Sequence, residues 1–323
     1  MKIILTGAAG FIGSCFLWQL NSMGIDDVIL VDTPSHPDGI ANLKDKKFKA
    51  YVAREELLDR LVKGQLKDVD LIVHLGACAD TTEMDTTFLS RNNVEYSKSL
   101  AKWALANNKF FHYASSAAIY GNGKAGYGDD DSLIDKYKPL NPYGESKWQF
   151  DKWLIQGGIT KKVVGYRYFN VFGPNEYHKG EMKSMVCKAH HQIKENGSAK
   201  LFATSRKGFE DGSEERDFVY VKDINRVMAF FVEHPDRSGI FNLGTGKARS
   251  FKSLAESVFS AMGRTLNIEY IPMPDKLKGQ YQYFTQADIS KLRQAGYGEE
   301  FLTLEKSVSD YVKNYLTKND PIL

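Results

Sequence analysis

Short apolar runs alternate with helix-like stretches through the first half of the chain. Residues 2–5, 27–31, 70–75 and 109–114 have strand length and strand character. Residues 11–23 and 97–107 have helical spacing, and a charged amphipathic stretch precedes residue 70. Strands that alternate with helices predict βαβ units, a parallel sheet and right-handed crossovers. Residues 163–167 add one more strand of the same kind. Beyond Gly173-Pro174 the character changes. Residues 183–195 form an amphipathic helical pattern, 204–215 a polar glycine-containing loop, 217–221 a strand, 223–233 a helix and 239–243 a strand. The last third combines helical patterns near 250–262 and 303–316 with a strand at 267–271.

This order predicts an α/β chain with a doubly wound parallel sheet and a smaller mixed α/β substrate-binding domain. Residues 1–170, with about 217–244 and 283–293, are assigned to the larger unit. Residues 171–216, 245–282 and 294–323 are assigned to the smaller. The segments interleave, so no single linker divides them. Internal repeats and low-complexity stretches are absent from the sequence.

A net charge of +3 over 323 residues gives no support for a nucleic-acid binder. The densest basic run, Lys44-Asp-Lys-Lys-Phe-Lys49, fits a solvated loop. Cys15, Cys78 and Cys187 are scattered without Cys-x-x-Cys spacing, so neither a disulfide framework nor a metal site is expected. The N-terminal apolar run is too short for a signal peptide, and no later run is long enough to span a bilayer. These features predict a cytoplasmic protein without membrane partners.

Candidate chemistry begins at Thr6-Gly-Ala-Ala-Gly-Phe-Ile-Gly13, between the first strand and the first helix. Gly7 allows the tight turn, Gly10 lets the backbone approach a pyrophosphate, and Gly13 allows close helix–strand packing. The helix N-terminus then offers free N–H groups and a positive dipole end to phosphates. Asp32 ends the second strand, where an acid can accept hydrogen bonds from the adenosine ribose, with Thr33 beside it. The pattern predicts a Rossmann-like dinucleotide site. A 2′-phosphate would require a cation nearby, and Pro34–Gly39 supplies only His36. Arg54 and the lysines at 44–49 could fold back, so NAD and NADP both stay open.

Tyr143-Gly-Glu-Ser-Lys147 places a phenol and an ammonium on one helix face. A tyrosine has a reference pKa of about 10, and two neighbouring cations, Lys147 and an oxidised nicotinamide, would favour its phenolate. Lys147 can also hold the nicotinamide ribose. Ser115 and Ser116 lie at the C-terminal end of a strand, where α/β sheets bind ligands.

These three motifs resemble the extended short-chain dehydrogenase/reductase superfamily, whose members act on nucleotide sugars. Its catalytic serine stands four residues before the tyrosine of a Ser-x-x-x-Tyr-Gly stretch, as Ser116 stands before Tyr120. The superfamily's dehydratases carry Thr-Asp-Glu where this chain has Ser116-Ala-Ala, which argues against dehydration. Five further segments are similar to the ADP-L-glycero-D-manno-heptose 6-epimerase family of lipopolysaccharide core biosynthesis. They are His74-Leu-Gly-Ala-Cys-Ala-Asp-Thr-Thr-Glu83, Arg167-Tyr-Phe-Asn-Val-Phe-Gly-Pro174, His178-Lys-Gly180, Arg216-Asp-Phe-Val-Tyr-Val221 and Pro274-Asp-Lys-Leu-Lys-Gly-Gln-Tyr281.

That resemblance implies an isomerase inverting C6″ of ADP-heptose with a tightly bound dinucleotide, one per subunit of a homo-oligomer. It makes Tyr143 and Lys179 the two acid/base groups and has Ser116 hold the C6″ oxygen. Asn170 would contact substrate or nicotinamide, and Arg216 and Tyr281 the diphosphate or nearby groups. Cofactor contacts would come from Gly7, Gly10, Phe11, Ile12, Gly13, Asp32, Thr33, Arg54, Leu75, Gly76, Ala77, Cys78, Asn93 and Lys147. The resemblance favours NADP. The local residues favour NAD, because residues 35–40 lack the lysine of NADP-linked members, although Arg54 falls on a basic position of the pattern. Residues 204–215 are also longer and more charged than the family pattern. The alternatives are another nucleotide-sugar epimerase, such as a UDP-hexose 4-epimerase, and a non-catalytic dinucleotide-sensing regulator. The latter is disfavoured by the presence of both Tyr143 and Lys147.

Overall fold

The computed structural model describes residues 1–33, 40–204, 208–275 and 281–323. Most of the 35–40 segment, part of the 204–215 loop and residues 276–280 of the Pro274–Tyr281 motif lie outside the described residues.

Seven strands form one parallel sheet: β1 (Ile3–Thr6), β2 (Val28–Asp32), β3 (Ala50–Ala53), β4 (Leu71–His74), β5 (Phe110–Ser116), β6 (Val163–Tyr168) and β11 (Gly239–Leu243). Their spatial order is β11-β6-β5-β4-β1-β2-β3, and every pairing is parallel. The order reverses between β1 and β4, which opens a crevice at their C-terminal ends.

Strands such as Ile3-Ile-Leu-Thr6 are buried on both faces, as parallel sheets require. Ile3 and Leu5 face a core completed by Phe16 and Leu20 of α1 (Phe11–Ser22) and Val227 and Phe231 of α6 (Val221–Glu233). Ile4 and Ile29 face the opposite core. That core takes Leu57 from α2 (Arg54–Val62), Leu100 from α3 (Tyr96–Ala106), and Phe150 and Leu154 from α4 (Pro142–Gln156). The two-residue alternation of the strands thus dictates helices on both sheet faces.

The strand β3 and the helix α2 are an addition to the expected elements. Ala50 and Tyr51 are exposed, so this edge strand has no alternation for a pattern to detect. A π-helical turn, Ser90–Glu95, leads into α3.

Beyond the main sheet, β7 (Asn170–Phe172) pairs with β10 (Phe218–Tyr220). Similarly, β8 (Ala199–Phe202) pairs with β13 (Ile268–Ile271), and β9 (Glu215–Arg216) with β12 (Arg249–Ser250). A third core joins Val186 and Ile193 of α5 (Met185–Asn196), Leu254 and Val258 of α7 (Phe251–Met262), and Val308 and Tyr311 of α8 (Leu304–Tyr311). Among the described residues no helix is long and apolar enough to cross a membrane.

Candidate active site

A cleft of about 950 Å³ opens over the C-terminal edge of the sheet. At one end lies the glycine turn. Gly7 has φ +68°, and a Cβ there would stand 2.6 Å from the Gly76 nitrogen. A Cβ on Gly13 would stand 2.1 Å from the Gly7 oxygen. No side chain caps the α1 N-terminus at Gly10, so its first N–H groups face the cleft ready for an anion. These features fit a dinucleotide pyrophosphate.

The facing strand β4 is locked by a chain of hydrogen bonds with a defined direction. Ser97 Oγ donates to Asn93 O at 2.7 Å, so it accepts from His74 Nε2 at 2.9 Å. His74 Nδ1 then accepts from Thr6 Oγ1 at 2.7 Å, and Thr6 Oγ1 accepts from Gly76 N at 3.1 Å. Burial lowers the His74 pKa to about 3, so this neutral tautomer persists at physiological pH.

The carboxylate at the end of β2 is held in place. Asp32 accepts from Ala9 N and Thr33 N, each at 2.8 Å. Arg54 lines the same end of the cleft, stacked 4.5 Å over Tyr96.

At the other end, Asn141 caps α4 by accepting from Gly144 N at 2.7 Å, and Pro142 starts the helix. This cap fixes the turn that carries Tyr143 and, one turn on, Lys147. Both line the cleft with Ser116. Ser115 and Ser116 point to opposite sides of the strand. Ser115 is buried and donates to Asp151 Oδ2 at 2.9 Å. Ser116 hydrogen-bonds Tyr143. Both serines border the cleft, but the Ser115 hydroxyl is committed to Asp151, which leaves Ser116 as the one beside Tyr143.

Burial holds the Tyr143 phenol above its ordinary value, and the Ser116 hydrogen bond offsets only part of this. The Lys147 ammonium donates to Ala114 O at 3.0 Å. Burial brings Lys147 itself down to about 8, against the opposing pull of Asp151. Base chemistry at Tyr143 thus awaits further positive charge in the cleft.

Lys179 lies on a turn spanning Tyr177–Met182. Glu176 closes this loop by accepting from Gly173 N at 3.3 Å and Ser184 Oγ at 2.7 Å. The Lys179 ammonium lies 5.2 Å over Phe11, and burial lowers its pKa. Tyr143 and Lys179 thus line one cleft from elements far apart in the chain.

Gly7, Gly10, Phe11, Ile12, Gly13, Asp32, Thr33, Arg54, Leu75, Gly76, Ala77, Cys78 and Asn170 all line this cleft. Three expected site residues lie outside its lining. Asn93 is buried behind the wall, where it donates to Cys78 O at 3.1 Å and to Ser146 Oγ at 3.0 Å and accepts from Cys78 N at 2.9 Å. It positions the wall and α4. Arg216 and Tyr281 form a separate stack at 4.9 Å. Arg216 reaches the cleft edge through Phe251, whose ring lies 5.6 Å from its guanidinium. Sequence reasoning missed Glu55, Asn92, Phe251 and Gln282, which also line the cleft. Proximity to Arg54 and Tyr281 is the only signal that marks Glu55 and Gln282.

A doubly wound sheet with a dinucleotide cradle and a Ser–Tyr–Lys set at one edge defines a class of dinucleotide-dependent sugar enzymes. The chain belongs to the NAD dependent epimerase/dehydratase family, which matches residues 3–244. Within that class it is similar to ADP-L-glycero-D-manno-heptose-6-epimerase of Nitratidesulfovibrio vulgaris, with 46% identity over 99% of both chains. The Fusobacterium nucleatum protein of the same name is 45% identical, over 99% of this chain and 100% of its own. The crystal structure of the Helicobacter pylori protein of that name superposes with a TM-score of 0.79 at 27% identity, covering 97% of this chain and 95% of that one.

Proposed function

We propose that the protein inverts C6″ of ADP-D-glycero-D-manno-heptose to give ADP-L-glycero-D-manno-heptose, for lipopolysaccharide core assembly in the cytoplasm. The observation that carries this reading is that Tyr143, on α4, and Lys179, on the Tyr177–Met182 turn, line one cleft. The names of the full-length relatives support the substrate.

A carbinol carbon with no activating neighbour keeps its configuration unless its C–H bond is broken. The bound nicotinamide dinucleotide supplies a reversible hydride acceptor. As the C6″–H bond gives up its hydride, one basic group takes the O6″ proton, leaving a 6″-ketone. The ketone turns, hydride returns to its other face, and an acid returns a proton to O6″. Tyr143 and Lys179 are the two proton carriers, one for each orientation. Burial lowers Lys179, which favours its neutral amine relative to a free lysine. Ser116 holds O6″ through its hydroxyl. Lys147 steadies the ribose of the cofactor, and Asn170 meets substrate or nicotinamide. Arg216, stacked on Tyr281, offers a planar fork to the diphosphate.

The net redox change is zero, so one tightly held dinucleotide per subunit of a homo-oligomer suffices. Between NAD and NADP, the cation-poor segment after Asp32 favours NAD. The test is Lys179→Met, expected to abolish inversion while thermal unfolding and bound dinucleotide stay as in the parent. Near-normal turnover would remove Lys179 from the reaction.

A further inference from the structure

We propose that Glu55 selects NAD over NADP by setting a second carboxylate beside Asp32 at the adenosine end of the cleft. The inference rests on the dinucleotide reading above. Asp32 is fixed by the N–H groups of Ala9 and Thr33. The Thr33 hydroxyl donates to Glu55 Oε1 at 3.1 Å, so the first turn of α2 brings Glu55 next to Asp32. Asp32, Thr33 and Glu55 all line the cleft. Tyr51 on β3 feels both acids, which add to the effect of burial in raising its phenol to about 12.

Ribose hydroxyls are hydrogen-bond donors and suit carboxylate acceptors. A 2′-phosphate ester carries between one and two negative charges near pH 7, and here it would meet two carboxylates. Arg54 lines this corner as well, with its side chain already anchored. Arg54 Nη2 donates to Asn92 Oδ1, and its guanidinium lies over the Tyr96 ring. The Tyr96 hydroxyl ties down the Arg54 carbonyl at 3.2 Å. The sequence has no lysine or arginine between residues 33 and 43 to take its place. Glu55 itself is exposed on the first turn of α2, so replacing it leaves the cores intact.

The test uses the protein as purified. It is denatured, and the released dinucleotide is identified by chromatography. In parallel, the native protein is challenged with NAD⁺ or NADP⁺, and the concentrations giving half-exchange are compared. The parent protein is expected to release NAD and to need roughly 30-fold more NADP⁺ than NAD⁺ for exchange, about 2 kcal/mol of discrimination. Glu55→Gln should narrow that ratio about three- to tenfold, the effect of one like charge in a partly screened site. Glu55→Asp should restore part of it. Parent protein that carries NADP overturns the proposal, as does Glu55→Gln protein with the parental ratio. Failure of the underlying reading has a different signature: no dinucleotide is released and neither one binds, which overturns both.

Discussion

Replacing Asp151 with asparagine tests whether the buried charge network beneath Ser116 holds the catalytic edge together. Asp151 accepts from Tyr113 OH at 2.7 Å, Ser115 Oγ at 2.9 Å and Arg167 Nε at 2.8 Å. Both side chains of the Asp151–Arg167 pair are wholly shielded from solvent. Arg167 also donates to Tyr120 OH at 3.2 Å, while its Nη2 has no hydrogen-bond partner. Asparagine preserves the shape but leaves this guanidinium without a counter-charge. Breaking a buried pair from one side costs about 3–5 kcal/mol. Unfolding entropy of about 2.1 cal/mol/K per residue amounts to roughly 0.7 kcal/mol/K for a chain of this size, so the melting temperature should fall by roughly 4–7 °C. Calorimetry at pH 7 measures this. Asp151 also favours the charged form of Lys147, so the alkaline limb of kcat/KM should move to lower pH. A melting temperature within about 1 °C of the parent, with an unmoved pH profile, would refute the reasoning.

Three further outcomes follow from the same geometry. Ser115→Ala should cost about 1.5–3 kcal/mol of stability, the worth of a hydrogen bond to a charged acceptor, with kcat nearly retained. Ser116→Ala should keep the stability and lower kcat about 10²–10³-fold; the opposite pattern in a paired measurement would exchange the two roles. Gly13→Ala drives a Cβ to 2.1 Å from the Gly7 oxygen. The purified variant should therefore release far less dinucleotide on denaturation, and parental content would contradict the packing argument. Lys147 supplies a pH test. Burial lowers it from 10.5 to about 8 in the folded protein, so between these values the unfolded chain holds more protons. Parent stability relative to Lys147→Met should therefore rise with pH from 8 towards 10.5, by at most about 3 kcal/mol. A difference that is flat or falls with pH in denaturant titrations would show that the ammonium is not desolvated.

The parts of the fold that could be read from the sequence are those in which one residue type has one physical use. Gly7 and Gly13 mark a turn that no Cβ would permit, and the fully apolar strands mark a sheet covered on both faces. The edge strand β3 escaped notice because half of it faces water, so its pattern carries no period. The π-turn at Ser90–Glu95 escaped because its side-chain spacing differs little from that of an α-helix. Within the site, Ser115 and Ser116 differ only by the side of β5 on which they fall, and the partner that separates them, Asp151, is 36 residues further along the chain. The Lys147 ammonium bonds the Ala114 carbonyl, a contact that depends on the depth of α4 against β5, which spacing alone does not encode. Arg216 and Tyr281 stack on each other just beyond Phe251, a pairing across 65 residues that no local spacing encodes.

An epimerisation with no net redox change needs a proton carrier for each orientation of the substrate, the paired roles proposed for Tyr143 and Lys179. The most direct measurement incubates the purified protein with ADP-D-glycero-D-manno-heptose, without added dinucleotide, and follows the configuration at C6″ by NMR. The account predicts inversion by the parent protein and none by Lys179→Met, with no reduced dinucleotide accumulating. No inversion by the parent, even after NAD⁺ and NADP⁺ are supplied, would contradict it.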